Sequence, residues 1–161
     1  MLFHNQAGIL KNSPWEQEMI TYKELHEQNH RITELSNVLR YLLKDRSMCD
    51  TQSCCELFHN YVSLVQEHMD TVDKNMYRDL LGSKDEKTNN VAKNFMSGSV
   101  EVKKILKSFT KQWCPVKNNN ALKIKDHEQF LGSIDKLFDI VLQRIQDETE
   151  HLYPLVRSMA A

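Results

Sequence analysis

Apolar positions in the last third of the chain recur at alternating steps of four and three. His127, Leu131, Ile134, Phe138, Val141, Ile145, Glu148 and Leu152 follow that rhythm, the stripe by which an amphipathic helix faces the core of a helical bundle. A second series, Phe58, Tyr61, Val62, Val65, Met69, Val72, Met76 and Leu80, predicts another core-facing helix. Val91, Phe95, Val102, Ile105, Leu106, Phe109 and Trp113 share one face at about 100° per residue. Leu25, Ile32, Leu35, Leu39 and Leu42 supply a fourth stripe.

Capping chemistry sets the expected boundaries. Ser13-Pro14-Trp15-Glu16 places Ser at the N-cap, Pro at the first helical position and Glu at the third, which opens a helix running to about Lys44. Ser53-Cys54-Cys55-Glu56 reads as a second capping box, and its helix is expected to stop near Leu81-Gly82. Ser83 or Asp85 caps a third helix, which Pro115 and the Asn118-Asn119-Asn120 run end at Trp113-Cys114. Asp126, with Gln129 three residues on, starts a fourth that lasts to roughly Val156. Connections of about ten residues or fewer favour antiparallel neighbours. The expected architecture is all-α, an up-down-up-down antiparallel four-helix bundle over residues 13–158, with residues 1–12 as an N-terminal arm.

Composition narrows the classes. The 161 residues suit one domain with a core large enough to need neither disulfides nor a structural metal. Four Gly and three Pro are few for the turns of an all-β protein. With 21 basic and 22 acidic residues the chain has no polyanion-binding signature, so nucleic acid is not expected as a direct partner. The first residues form no signal-peptide pattern and no stretch approaches a transmembrane span, which leads to the expectation of a cytoplasmic chain without a membrane partner. Adjacent Cys54 and Cys55, with Cys49 and Cys114, then suit reduced thiols.

Two stretches carry the candidate chemistry. His68 is followed nine residues later by Tyr77, and the last helix ends Glu148-Thr149-Glu150-His151-Leu152-Tyr153-Pro154. Together with a long His-bearing first helix, these resemble the hemerythrin-like (HHE) superfamily over roughly residues 14–157. The resemblance implies a four-helix bundle with a non-haem di-iron centre that binds oxygen or senses iron, oxygen or redox state. It also implies His-x-x-x-Glu on helices two and four, a spacing that places both donors on one helical face.

Neither copy is intact. Val72 stands where the glutamate belongs after His68, leaving Asp73 one residue out of phase. Arg144 replaces the histidine that would precede Glu148, and Thr149 replaces the second acid. Arginine has no lone pair to give a metal. The third helix has no histidine and offers Gly98 and Ser99, while on the first helix His26 and His30 lie off the apolar stripe and Gln28 and Asn29 point inward. Two readings follow. In one, His68, Arg144 and Glu148 form a buried polar patch without cofactor; in the other, His30, His68, Asp73 and Glu148 bind iron in a nonstandard arrangement.

A second resemblance is to the regulator-of-sigma-D (Rsd/AlgQ) family of bacterial proteins, which have a hemerythrin-like bundle without iron and bind the principal sigma factor. It rests on Leu25-His26-x-x-x-His30, the His68 to Asp73 spacing, Ala92-Lys93 followed by Phe95, and Arg144-x-x-x-Glu148. The expected function is therefore a non-enzymatic regulatory or sensing protein with a protein partner, its di-iron ligands largely lost. The alternatives are a hemerythrin-like iron protein and an Rsd/AlgQ-like regulator whose partner is a sigma factor.

Antiparallel threading would also gather Cys54, Cys55, His59, Cys114 and His127 at the opposite end. Cys55 and His59 are four apart, a spacing compatible with zinc, although buried cysteines also serve as small hydrophobes. His26-Glu27-Gln28-Asn29-His30 satisfies the His-Glu-x-x-His pattern of zinc proteases, but no third ligand on the same face accompanies it. No phosphate loop, dinucleotide fingerprint or nucleophile elbow is present, and no enzymatic activity is expected.

Overall fold

The computed structural model describes residues 14–115 and 121–159, with side chains from residue 22 onward. The expected N-terminal arm, the Ser13 cap and the Asn118–Asn120 run lie outside the described residues. Every regular element among the described residues is helical: α1 (Pro14–Leu43), α2 (Arg46–Cys49), α3 (Gln52–Asn75), α4 (Arg78–Leu81), α5 (Glu86–Trp113), α6 (His127–Asp147), a π-helical turn (Glu148–Leu152) and α7 (Tyr153–Met159). Among the described residues no helix is long and apolar enough to cross a membrane.

Side-chain caps open α2, α3 and α6. Asp126 accepts a hydrogen bond from the Gln129 amide at 3.1 Å and opens α6. Asp85 stands at the N-cap of α5 and accepts from the Thr88 hydroxyl at 2.8 Å. Beyond α5, the Lys123 amide donates to the Trp113 carbonyl at 2.8 Å and ties the returning chain to the helix end.

Three boundaries differ from expectation. Thr51, not Ser53, caps α3: its hydroxyl accepts from the Cys54 amide at 3.2 Å and donates to the Met48 carbonyl at 2.7 Å, fixing the corner with α2. The second long helix stops at Asn75 rather than near Gly82, and the break before α4 lets neighbouring Met76 and Tyr77 both bury their side chains. The last helix continues to Met159 but passes through the π-helical turn at Glu148.

Each long helix touches two others. α1 meets α6 through Arg40 to Asp139 at 3.0 Å and His127 Nε2 to the Leu43 carbonyl at 2.8 Å. α3 meets α5 through Asp73 to Ser99 and His59 to Cys114. Gln28 of α1 reaches His68 of α3, and Arg144 of α6 reaches the Phe95 carbonyl of α5.

The apolar interior falls into two clusters. The larger runs from Cys49, Cys54 and Phe58 through Val65, Met69, Phe130, Phe138, Val141 and Ile145. The smaller joins Leu25, Val72, Met76, Tyr77, Leu80, Ala92, Leu152, Tyr153 and Val156. His68 falls between Val65 and Val72, and Glu148 between Ile145 and Leu152, so polar groups separate the two clusters. The stripe of α3 is buried as expected, from Phe58 to Leu80 across the break. That of α5 is turned: Ala92, Ser99, Val102 and Leu106 face inward, while Val91, Phe95 and Ile105 are only half-buried. These three line an open groove of about 840 Å3 between α5 and α6.

Candidate functional site

The π-helical turn begins at Glu148, the one buried carboxylate among the described residues. An extra residue in a helical turn changes what the following side chains face, and such turns concentrate at functional sites. Here the turn delivers Glu148 and Tyr153 to the same spot: the Tyr153 hydroxyl lies 3.4 Å from Glu148 Oε1 and also accepts from the Asn29 amide at 3.3 Å.

Glu148 has a basic side chain against each oxygen. Arg144, one turn earlier, donates from Nε to Oε2 at 3.0 Å. His68 of α3, fully buried, sets Nε2 2.5 Å from Oε1. Its other ring nitrogen lies 2.9 Å from Gln28 Oε1, so both ring nitrogens are in hydrogen-bonding contact.

Arg144 is held on every side. Besides Glu148, Nη1 donates to the Phe95 carbonyl at 2.8 Å and Nη2 to the Tyr77 hydroxyl at 3.0 Å. The guanidinium carbon sits 4.9 Å from the Phe95 ring centre, within cation–π range. Burial pushes the Tyr77 and Tyr153 phenols well above the usual tyrosine range, and for Tyr153 the Glu148 charge adds to the effect. Both phenols therefore stay neutral donors to oxygen or acceptors from nitrogen at ordinary pH.

Gly98 makes room for the guanidinium. A Cβ at this position would lie 2.8 Å from Arg144 Nη1, whereas one at Gly132 would meet nothing within 4 Å. Helix propensity alone favours Ala over Gly by about 1 kcal/mol, but displacing a charged hydrogen bond costs about 1.5–3 kcal/mol. Gly132→Ala is expected to raise stability in urea denaturation, and Gly98→Ala to lower it by about 1 kcal/mol net. A stabilising Gly98→Ala would show that Arg144 is not pinned.

The other metal positions read from the sequence do not converge on this network. His30 is exposed, as is His26 of the His-Glu-x-x-His pattern. Asp73 turns away to α5, where its Oδ2 accepts from Ser99 and from Lys103, each at 2.9 Å. Lys103 also bridges to Asp70 at 2.6 Å. The donors present do not fit the pair of iron ions that the first resemblance implies. Imidazole and carboxylate are spent on each other, and a guanidinium occupies the remaining side of Glu148.

At the far end, Cys55, His59 and Cys114 bring their donor atoms within 4.8 Å of one another. Cys55 Sγ lies 3.3 Å from Cys114 Sγ, and His59 Nε2 lies 3.0 Å from Cys114 Sγ. Cys54 and His127 stand apart from this trio. Cys54 is buried in the larger core, and His127 Nε2 sits between the Leu43 carbonyl at 2.8 Å and Cys49 Sγ at 3.8 Å.

The sequence reading missed Tyr153 as a partner of Glu148 and Lys103 as the partner of Asp73. Lys103 follows Ser99 by four, a spacing that could have signalled a shared target. Nothing in the sequence pointed to Cys49 beside His127. Comparison with protein-family models, curated proteins and solved structures found no match.

Proposed function

We propose that this chain is a hemerythrin-like, up-down-up-down four-helix bundle in which an ionic network has replaced the iron centre, and that it works as a regulatory protein by binding another protein rather than by catalysis. The opposite-running contacts along α1 and α6, Arg40 with Asp139 and Leu43 with His127, support the antiparallel arrangement. So do Asp73 with Ser99 and His59 with Cys114 along α3 and α5.

The observation that carries the reading is Arg144. It sits where the resemblance calls for a histidine ligand, and its Nε is 3.0 Å from the buried glutamate. A fixed positive charge there opposes a cation and supplies no lone pair. The second resemblance, to metal-free bundles that bind the principal sigma factor, supports a protein partner and makes that factor the first one to test.

Protein expressed with added iron is expected to carry no stoichiometric iron by elemental analysis and no oxo-bridge charge-transfer absorption. One or two irons per chain with that absorption would overturn the reading. Titration with purified principal sigma factor, followed by calorimetry, tests the partner. Absence of a heat signal and of a co-eluting complex discards that factor.

A further inference from the structure

We infer that Cys55, His59 and Cys114 bind one zinc ion that clasps the N-terminal part of α3 to the end of α5. Cys55 and His59 are one turn apart on α3, so their side chains lie on the same side of the helix. Cys114 is the C-cap residue of α5 and brings a second thiol to them from the neighbouring element. The site shares no residue with the His68 network.

The distances are close to what the ion requires. Zinc bonds sulfur at about 2.3 Å and imidazole nitrogen at about 2.0–2.1 Å. Tetrahedral geometry then separates two sulfurs by about 3.8 Å and sulfur from nitrogen by about 3.5 Å. The observed 3.3 Å and 3.0 Å fall about half an ångström short, a gap that small rotations about the side-chain bonds close.

Donor chemistry selects the metal. Two thiols and an imidazole, with no carboxylate in the trio, suit zinc rather than calcium or magnesium. Binding releases the two thiol protons to solvent and forms two zinc–sulfur bonds and one zinc–nitrogen bond. Two thiolates balance the charge of the ion, so the assembled site is neutral, as a site with two buried cysteines requires. The fourth tetrahedral position remains for water or an outside donor.

A disulfide is the competing fate of the two sulfurs, which lie 3.3 Å apart as free thiols, so the test keeps the chain reduced.

The test uses the full chain, reduced, stripped of metal with a chelator and titrated with Co(II) and then Zn(II). One equivalent of cobalt should give thiolate-to-cobalt charge-transfer bands and intense tetrahedral d–d bands, which zinc then displaces. Zinc uptake in weak buffer should release two protons per ion. His59→Asn and Cys114→Ser should each weaken zinc by roughly tenfold or more, whereas Cys54→Ser should bind as the parent does. His59 is only half-buried, so its variant keeps the test readable if Cys114→Ser fails to fold by circular dichroism. Absent thiolate–cobalt bands would overturn the inference, as would parent-like zinc affinity in His59→Asn or a loss in Cys54→Ser as large as that in Cys114→Ser.

Discussion

Glu148→Leu is expected to lower the unfolding free energy by about 3–5 kcal/mol, the cost of stripping a buried ion pair of one partner. Leucine fills much of the same volume, so the loss is electrostatic rather than a cavity. It leaves Arg144 and His68, 7% and 0% exposed, without the only buried anion among the described residues. The phenols of Tyr77 and Tyr153 and the Phe95 carbonyl cannot replace a negative charge. Urea denaturation followed by far-UV circular dichroism measures the loss.

A double-mutant cycle gives the prediction its edge. Arg144→Met in the Glu148→Leu background removes the stranded cation, so the double variant should be less destabilised than the sum of the singles by about 1–3 kcal/mol. Strict additivity would mean that the two charges do not see each other, contrary to the 3.0 Å contact. A Glu148→Leu cost below about 1 kcal/mol, the range of exposed ion pairs, would sink the network as a structural element.

What the sequence made legible divides by distance along the chain. Arg144 and Glu148 are four apart on one helix, so their contact follows from helix geometry alone. The N-cap at Asp126 followed from its three-residue spacing to Gln129, and the stop at Trp113 from Pro115. The second capping box misled because Thr51 and Ser53 stand two residues apart at the start of the helix, each with a side chain able to cap it. The choice was made by the Thr51 hydroxyl reaching the Met48 carbonyl across the α2 corner, a contact that exists only once α2 has formed.

Contacts between helices were less legible. Asp73 looked like a substitute for the glutamate expected at position 72, as a ligand beside His68, but it is one residue, or about 100°, further around α3 than Val72, and that rotation delivers it to Ser99 and Lys103. The same rotation separates Cys54 from Cys55, so only the latter meets Cys114. On α5, apolarity located the stripe but not its centre. Val91, Phe95 and Ile105 read as core, yet the small residues Ala92 and Ser99 point inward, while Gly98 at the groove leaves room for the bulk of Arg144. Periodicity records which residues avoid water, and a groove-lining residue avoids it partly.

Phe130→Ala is the second large loss expected, about 3–5 kcal/mol, and here the cause is volume. Phe130 is fully buried in the first turn of α6, with its ring edge-to-face to Trp113 at 5.3 Å and 6.1 Å from Phe109. Phe109 in turn lies 5.3 Å from Phe58, so one side chain helps hold aromatic rings from α3, α5 and α6. Removing it opens a cavity that rigid neighbours fill poorly, whereas Phe130→Leu keeps most of the volume and should cost less than half as much. For a chain of this length the alanine variant should melt on the order of 10 °C lower. Positions 130 and 148 are 18 residues apart, roughly 27 Å along a helix at 1.5 Å per residue. They share no hydrogen bond, so Phe130→Ala combined with Glu148→Leu should lose the sum of the two single costs to within about 0.5 kcal/mol. Marked coupling between them would mean that the aromatic end and the ionic layer respond as one unit, against their separation into two packed regions.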